Sequence, residues 1–154
     1  MVWWLVIVNI LAWLLIHLGV AWLGTRVAST WFEPASWLFR ERGWERGGKF
    51  YEVVFAIRSW KGILPDGAAL FEQGFRKKIL DRGADYLNRF LIETCRGEVV
   101  HWIVLACSLF FFFWNSWGAG FVMVAYGVAA NLPCILVQRY NRIRLTAVVT
   151  RKRL

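Results

Sequence analysis

Apolar residues run almost unbroken from Trp3 to Leu23, and no Lys, Arg, Asp or Glu precedes Arg26. A second apolar run extends from Val99 to Trp114 and a third from Trp117 to Val137, with no charged residue between Glu98 and Arg139. Each run is at or near the length an α-helix needs to cross ~30 Å of hydrocarbon. The pattern predicts three transmembrane helices, over about 3–23, 99–114 and 117–137. The second run is short, so its helix is expected to continue below Val99 into the polar interface. Asn115-Ser116-Trp117-Gly118 reads as a tight turn with an aromatic anchor, joining the second and third spans as a hairpin. Pro133 predicts a kink near the end of the third span.

Between Glu33 and Asn88 bulky aromatics alternate with charges, as in Trp37-Leu38-Phe39-Arg40 and Lys49-Phe50-Tyr51-Glu52. No stretch there is long enough to cross a bilayer. Two or three amphipathic helices lying in the headgroup plane are expected, with Trp and Phe inward and Arg and Lys toward phosphates. Gly43, Gly47-Gly48 and Leu64-Pro65-Asp66-Gly67 should break them. The rival, a small soluble domain, would need a core that about seventy residues supply only marginally. The expected fold is thus an all-α integral membrane protein. It forms one domain over 1–154, with an interfacial region at 25–98 and a basic tail at 139–154.

Composition agrees: 58% of the residues are hydrophobic, eleven are Trp, and mean hydropathy is +0.45, all unusual for a soluble domain. The net charge of +9 raises nucleic acid as a partner, but the basic residues are mixed with acids or flank apolar runs. Anionic lipid headgroups explain them better. All ten acidic residues and thirteen of the nineteen basic ones lie between Arg26 and Glu98, and the other six basic residues follow the third span. The positive-inside rule then predicts a cell-membrane protein with a cytoplasmic C-terminus and with the N-terminus and hairpin tip outside. A cleaved signal peptide at the N-terminus would want a basic n-region, which residues 1–24 lack. Cys95, Cys107 and Cys134 show neither paired nor metal-ligand spacing.

Candidate chemistry gathers in Ile92-Glu93-Thr94-Cys95-Arg96-Gly97-Glu98-Val99-Val100-His101-Trp102, at the mouth of the second span. Charged groups there are expensive unless each has a partner or a task. On one helix His101 lies angularly between Glu93 and Glu98, with Glu93 ~12 Å away along the axis, so Glu98 is the better direct partner. A carboxylate beside an imidazole fixes its tautomer and raises its basicity, as a general base requires. Glu-x-x-His spacing also serves as a metal-ligand pattern in helical bundles. A third reading is purely architectural: Glu98 and His101 pair with each other and with Arg142 to close the end of the bundle.

A second polar cluster, Asn131 followed by Gln138-Arg139-Tyr140-Asn141-Arg142-Ile143-Arg144, returns to the same face because the spans are antiparallel. Thr25-Arg26 leaves the first span there too. Asn131 sits roughly ten Å deeper than Gln138, where an amide wants a partner such as His101 or a substrate carbonyl. Arg144 reads as a snorkelling anchor. Asn9 and His17, inside the first span, read as bonded to a neighbouring helix.

Taken in order, Leu23-Gly24-Thr25-Arg26, Gly48-Lys49-Phe50, Trp60-Lys61 with Asp66-Gly67, the Ile92 to Trp102 block, and Ala130-Asn131-Leu132-Pro133 through Gln138-Arg139-Tyr140-Asn141-Arg142 cover nearly the whole chain. This series resembles the glycosyl-4,4'-diaponeurosporenoate acyltransferase family of bacterial carotenoid biosynthesis, which finishes staphyloxanthin-type pigments. Gly97 stands where Ala is expected in that family, and Ile143 where Pro is expected; neither change removes a polar group, and Ile143 lets the last helix run on into the tail.

The resemblance implies transfer of a fatty acyl group to a sugar hydroxyl of a glycosylated carotenoid or related glycolipid in the membrane. No cofactor is implied beyond acyl-CoA or acyl-carrier protein as donor, and no metal. His101 would be the general base, Glu98 or Glu93 its orienting partner, and Asn131 with Arg139 or Arg142 the donors to the tetrahedral oxyanion. Arg26, Arg96, Gln138, Arg139, Asn141 and Arg142 form the expected substrate-binding set, and Arg26, Lys49 and Lys61 the groups for the phosphate of an acyl carrier. Covalent catalysis through Cys95, beside Arg96, is a lesser alternative. Two other classes stand against the acyltransferase: a non-catalytic membrane scaffold or lipid-binding subunit, and a metal-dependent hydrolase using Glu93, Glu98 and His101. Three helices bury only a narrow seam, which leaves room for a homo-oligomer or a further membrane subunit.

Overall fold

A computed structural model describes residues 3–64 and 83–153. Among these every regular element is a helix. Helix α1 spans Trp3–Arg26, α2 Lys49–Phe55, α3 Ile57–Trp60, α4 Ala84–Cys107 and α5 Trp117–Arg153, with 3-10 turns at Ser29–Trp31, Gly43–Gly48, Lys61–Ile63 and Ser108–Phe113. Three helical stretches are long and apolar enough to cross a membrane: Trp3–Arg26, Asp85–Phe113 and Trp117–Arg151. The second and third outrun the apolar runs of the sequence, because a helix does not stop where its residues turn polar. α4 begins well before Val99, as its short apolar run implied. α5 continues through Pro133 and Ile143 into the basic tail.

α4 packs along α5, and α1 lies against α4. Both ends of α1 are fastened. Toward the hairpin, Asn9 Nδ2 donates to Asn115 Oδ1 at 3.0 Å, and Asn9 Oδ1 accepts from Trp114 Nε1 at 2.8 Å and from Asn115 Nδ2 at 2.9 Å. At the other end Arg96 Nη1 donates to the carbonyls of Gly24 and Val27, at 2.6 and 2.7 Å. These carbonyls belong to the orphan set at a helix C-terminus, where a cation is also favoured by the helix dipole. The approach is close: a Cβ on Gly24 would sit 2.5 Å from Val100 Cγ2. Between the fastenings Trp13 stacks on Phe111 at 4.7 Å and packs with Val104. His17 packs its ring against Trp13 and Tyr126.

Between the first and second spans, the stretch over 29–63 breaks into five short helical pieces rather than two or three longer helices. The cause is local backbone: Arg46, Gly47, Gly48 and Ala56 all take left-handed φ values, which stop one helix and redirect the next. The predicted break at Pro65-Asp66-Gly67 lies outside the described residues. The pieces wrap the polar end of the α4–α5 pair. Phe32 and Phe39 bury against Cys95 of α4, and Tyr51 and Ile57 bury against Val137, Tyr140 and Ile143 of α5.

Candidate active site

His101 on α4 and the fully buried Asn131 on α5 face each other, with Nδ1 of the imidazole 2.9 Å from Oδ1 of the amide. The amide is held from its other side: Asn131 Nδ2 donates to the carbonyl of Gly127, one turn earlier, at 2.9 Å. A carbonyl can only accept, so the Asn131 nitrogen belongs there and its oxygen belongs at His101. That oxygen in turn needs a donor. A neutral His101 therefore carries its proton on Nδ1 and its lone pair on Nε2, the form a general base requires. At Nδ1 the partner is Asn131, where Glu98 or Glu93 was expected.

Glu98 is buried instead against two arginines of α5. Its Oε2 meets Arg142 Nη2 at 2.5 Å and its Oε1 meets Arg139 Nη1 at 3.4 Å. Both guanidinium groups reach back toward the bundle, the direction in which a helical Cα–Cβ bond tilts. Arg139 also lays its fork on Glu45, with Nε to Oε1 at 2.8 Å and Nη2 to Oε2 at 3.2 Å. Carbonyls of the wrapping segment complete the shell: Leu38 and Arg40 accept from Arg139, and Phe39 accepts from Arg142 Nε at 3.0 Å. Two carboxylates and two guanidinium groups thus form a neutral buried network, which needs this many hydrogen bonds to offset desolvation. Arg142 Nη1 is buried and has no hydrogen-bond partner among the described residues.

Glu45 was not among the residues expected here, yet it is fully buried at the network's centre. Tyr51 Oη donates to it at 2.6 Å and the Arg42 N–H at 2.5 Å. Burial raises the Glu45 pKa, but the bonds from Arg139, Tyr51 and the Arg42 N–H outweigh it and hold the carboxyl below the usual range. Burial and the Glu45 charge push the Tyr51 phenol above its usual range. One signal for Glu45 lay in the sequence: Arg139 and Arg142 return to an end where Glu98 alone cannot balance both.

The other expected residues fall into separate places. Glu93 pairs with Arg96 at 3.1 Å, and Arg96 caps α1 while its guanidinium lies 4.8 Å from the Phe32 ring centre. Arg26 is exposed, 4.7 Å over the Trp22 ring, in the last turn of α1. Asn141 accepts from Lys61 Nζ at 3.1 Å. Gln138 packs on Gly97, its Cδ 3.0 Å from the place of a Cβ there. Cys95 is fully buried under Phe32 and Phe39, out of reach of a substrate. Glu93, Glu98 and His101 turn to Arg96, Arg142 and Asn131 rather than to a common point. Among the described residues, no three His, Cys, Asp or Glu side chains gather as a metal site.

An imidazole tautomer fixed by a buried amide, beside a shielded ionic network, suits proton transfer from a hydroxyl. Residues 34–151, a stretch that holds both, match the glycosyl-4,4'-diaponeurosporenoate acyltransferase family. The chain belongs to that family. Glycosyl-4,4'-diaponeurosporenoate acyltransferase from Staphylococcus aureus strain N315 is 33% identical over 138 residues, covering 89% of this chain and 83% of the relative. The same enzyme from strain USA300 is 33% identical over 140 residues, with the same coverage. No solved structure matches. The chain is accordingly an acyltransferase, and the family resemblance seen in its sequence holds.

Proposed function

We propose that the protein transfers a fatty acyl group from a thioester donor, acyl-CoA or acyl-carrier protein, to a sugar hydroxyl of a glycosylated carotenoid or related glycolipid. The observation that carries this reading is the His101–Asn131–Gly127 chain of hydrogen bonds. His101 Nε2 takes the proton of the sugar hydroxyl as its oxygen attacks the thioester carbonyl. The tetrahedral oxyanion then collapses, the C–S bond breaks, and the departing thiolate takes the proton back from His101, leaving ester and thiol. Asn131 acts through His101: it is fully buried, its oxygen accepts from the imidazole, and one of its two amide N–H groups is taken by Gly127. The acceptor's apolar body lies in the bilayer, its sugar at headgroup depth, and the donor arrives from the cytoplasm, with the N-terminus and hairpin tip outside.

Purified wild type, given long-chain acyl-CoA and a glycosylated lipid acceptor, should yield ester detectable by mass spectrometry. His101→Gln should lower kcat by about a hundredfold or more. Asn131→Ala should lower kcat less than that and shift the pH profile of kcat, since the imidazole loses the group that fixes its tautomer. Equal turnover by a correctly folded His101→Gln protein removes His101 as the base. Absence of ester from wild type across donors and acceptors favours the scaffold reading.

A further inference from the structure

On the opposite side of α5 from the Glu98 network, positive charge outnumbers negative among the described residues. Arg58 Nε lies 3.2 Å from Tyr140 Oη, and Tyr140 Oη donates to Glu52 Oε1 at 2.7 Å. Arg58 also meets Glu52 at 3.1 Å. Lys61 Nζ sits 4.8 Å above the Tyr140 ring and donates to Asn141. Gly48 supplies the close fit, since a Cβ there would come within 3.2 Å of the Tyr140 ring and 3.6 Å of Arg144 Cδ. Its φ of +90° suits glycine for a second reason. Three cations, Arg58, Lys61 and Arg144, thus surround one tyrosine with Glu52 as the acid among them. Burial, then the charges of Arg58 and Arg144, push the Lys61 ammonium below its ordinary value, with Glu52 opposing them.

We propose that Arg58, Lys61 and Arg144 form the phosphate-binding site for the acyl donor, gripping the phosphate of a pantetheine-linked thioester. The assignment rests on the acyltransferase reading and deepens it. Phosphate is the ligand that matches: a compact anion of more than one charge, taken by guanidinium and ammonium donors. Position supports the same ligand. Asn141, which holds Lys61, is ten residues beyond Asn131, about 15 Å along the helix axis. Asn131, Cys134, Gln138 and Asn141 recur at helical spacing on one face of α5. A phosphate at Lys61 therefore lies partway around α5 from the His101 partner, with Asn141 about 80° from Asn131, at an axial separation a pantetheine arm can bridge. Of the cations expected at this task, Lys61 belongs to the cluster, whereas Arg26 sits over Trp22 at the end of α1.

The test is coenzyme A titrated into the full chain in phosphatidylcholine nanodiscs. Wild type and His101→Gln should bind alike. Lys61→Ala and the surface change Arg144→Ala should each weaken binding by about tenfold, the loss of one charge-assisted contact. Lys61→Arg should keep most of the affinity, which separates loss of charge from loss of fold. Unchanged coenzyme A binding in both alanine variants overturns the proposal. So does a loss confined to phosphatidylglycerol vesicles, which would make the cluster a lipid-headgroup site. If binding follows the prediction while His101→Gln still transfers acyl groups, the phosphate site stands and the role given to His101 falls.

Discussion

Glu45 shows how far one side chain can organise a site. It is fully buried, and Arg139, Tyr51 and a backbone N–H all point at its carboxylate. Removing its charge leaves Arg139 short of a counter-ion, so Glu45→Gln should cost about 3–5 kcal/mol. The pH dependence follows from the depressed pKa. Stabilisation is complete where the unfolded glutamate is already ionised, and drains away as pH falls through the lower folded-state value. The unfolding temperature of wild type should hold steady down to about pH 5 and then fall. Glu45→Gln should begin lower and lose less over the same acid range; parallel losses in the two proteins would count against this account.

At the scale of elements, α1 and α4 meet at Gly24. Gly24→Ala should push the helices apart and destabilise the protein by about 1–3 kcal/mol, because its Cβ would overlap Val100. Val100→Ala should recover most of that loss, a coupling read from thermal unfolding of the two single variants and the double variant. If the effects simply add, the contact is not what limits the approach. The spans themselves were legible because charge is absent from three runs of the sequence, and the Asn131 depth argument pointed correctly to His101. Of the short pieces over 29–63, the break at Gly47-Gly48 was legible, but those at Arg46 and Ala56 were not, since they rest on left-handed backbone at residues that do not announce it. The Glu98–Arg142 pair was legible in the architectural reading of the sequence, whereas the ties of Arg139 to Glu98 and Glu45 were not, since helical spacing relates residues within one helix and these come from different elements.

At the scale of the whole molecule, the polar groups segregate. His101, the ionic network and the Tyr140 cluster occupy one end, and the Asn9–Asn115–Trp114 cluster closes the other. From the charge bias of the chain we propose that the first end is cytoplasmic. In a background with the native cysteines replaced, Ser116→Cys should label with an impermeant maleimide from outside intact cells. Thr150→Cys should label only after permeabilisation. The reverse pattern would invert the topology and put the donor on the wrong side of the membrane.

α1 is largely exposed between its two fastenings, as Leu11, Leu14, Leu15 and Leu18 illustrate. Those fastenings, the Asn9 amide at one end and the Arg96 grip on Gly24 and Val27 at the other, fix the register of α1 against its neighbours as well as its position. Sliding α1 by one turn would break both sets at once. Where the bilayer is thinner or thicker than the apolar runs, the three helices must answer by tilting together. The candidate site then keeps its shape while its depth beneath the headgroups changes, so membrane thickness would regulate access to it and leave its geometry alone.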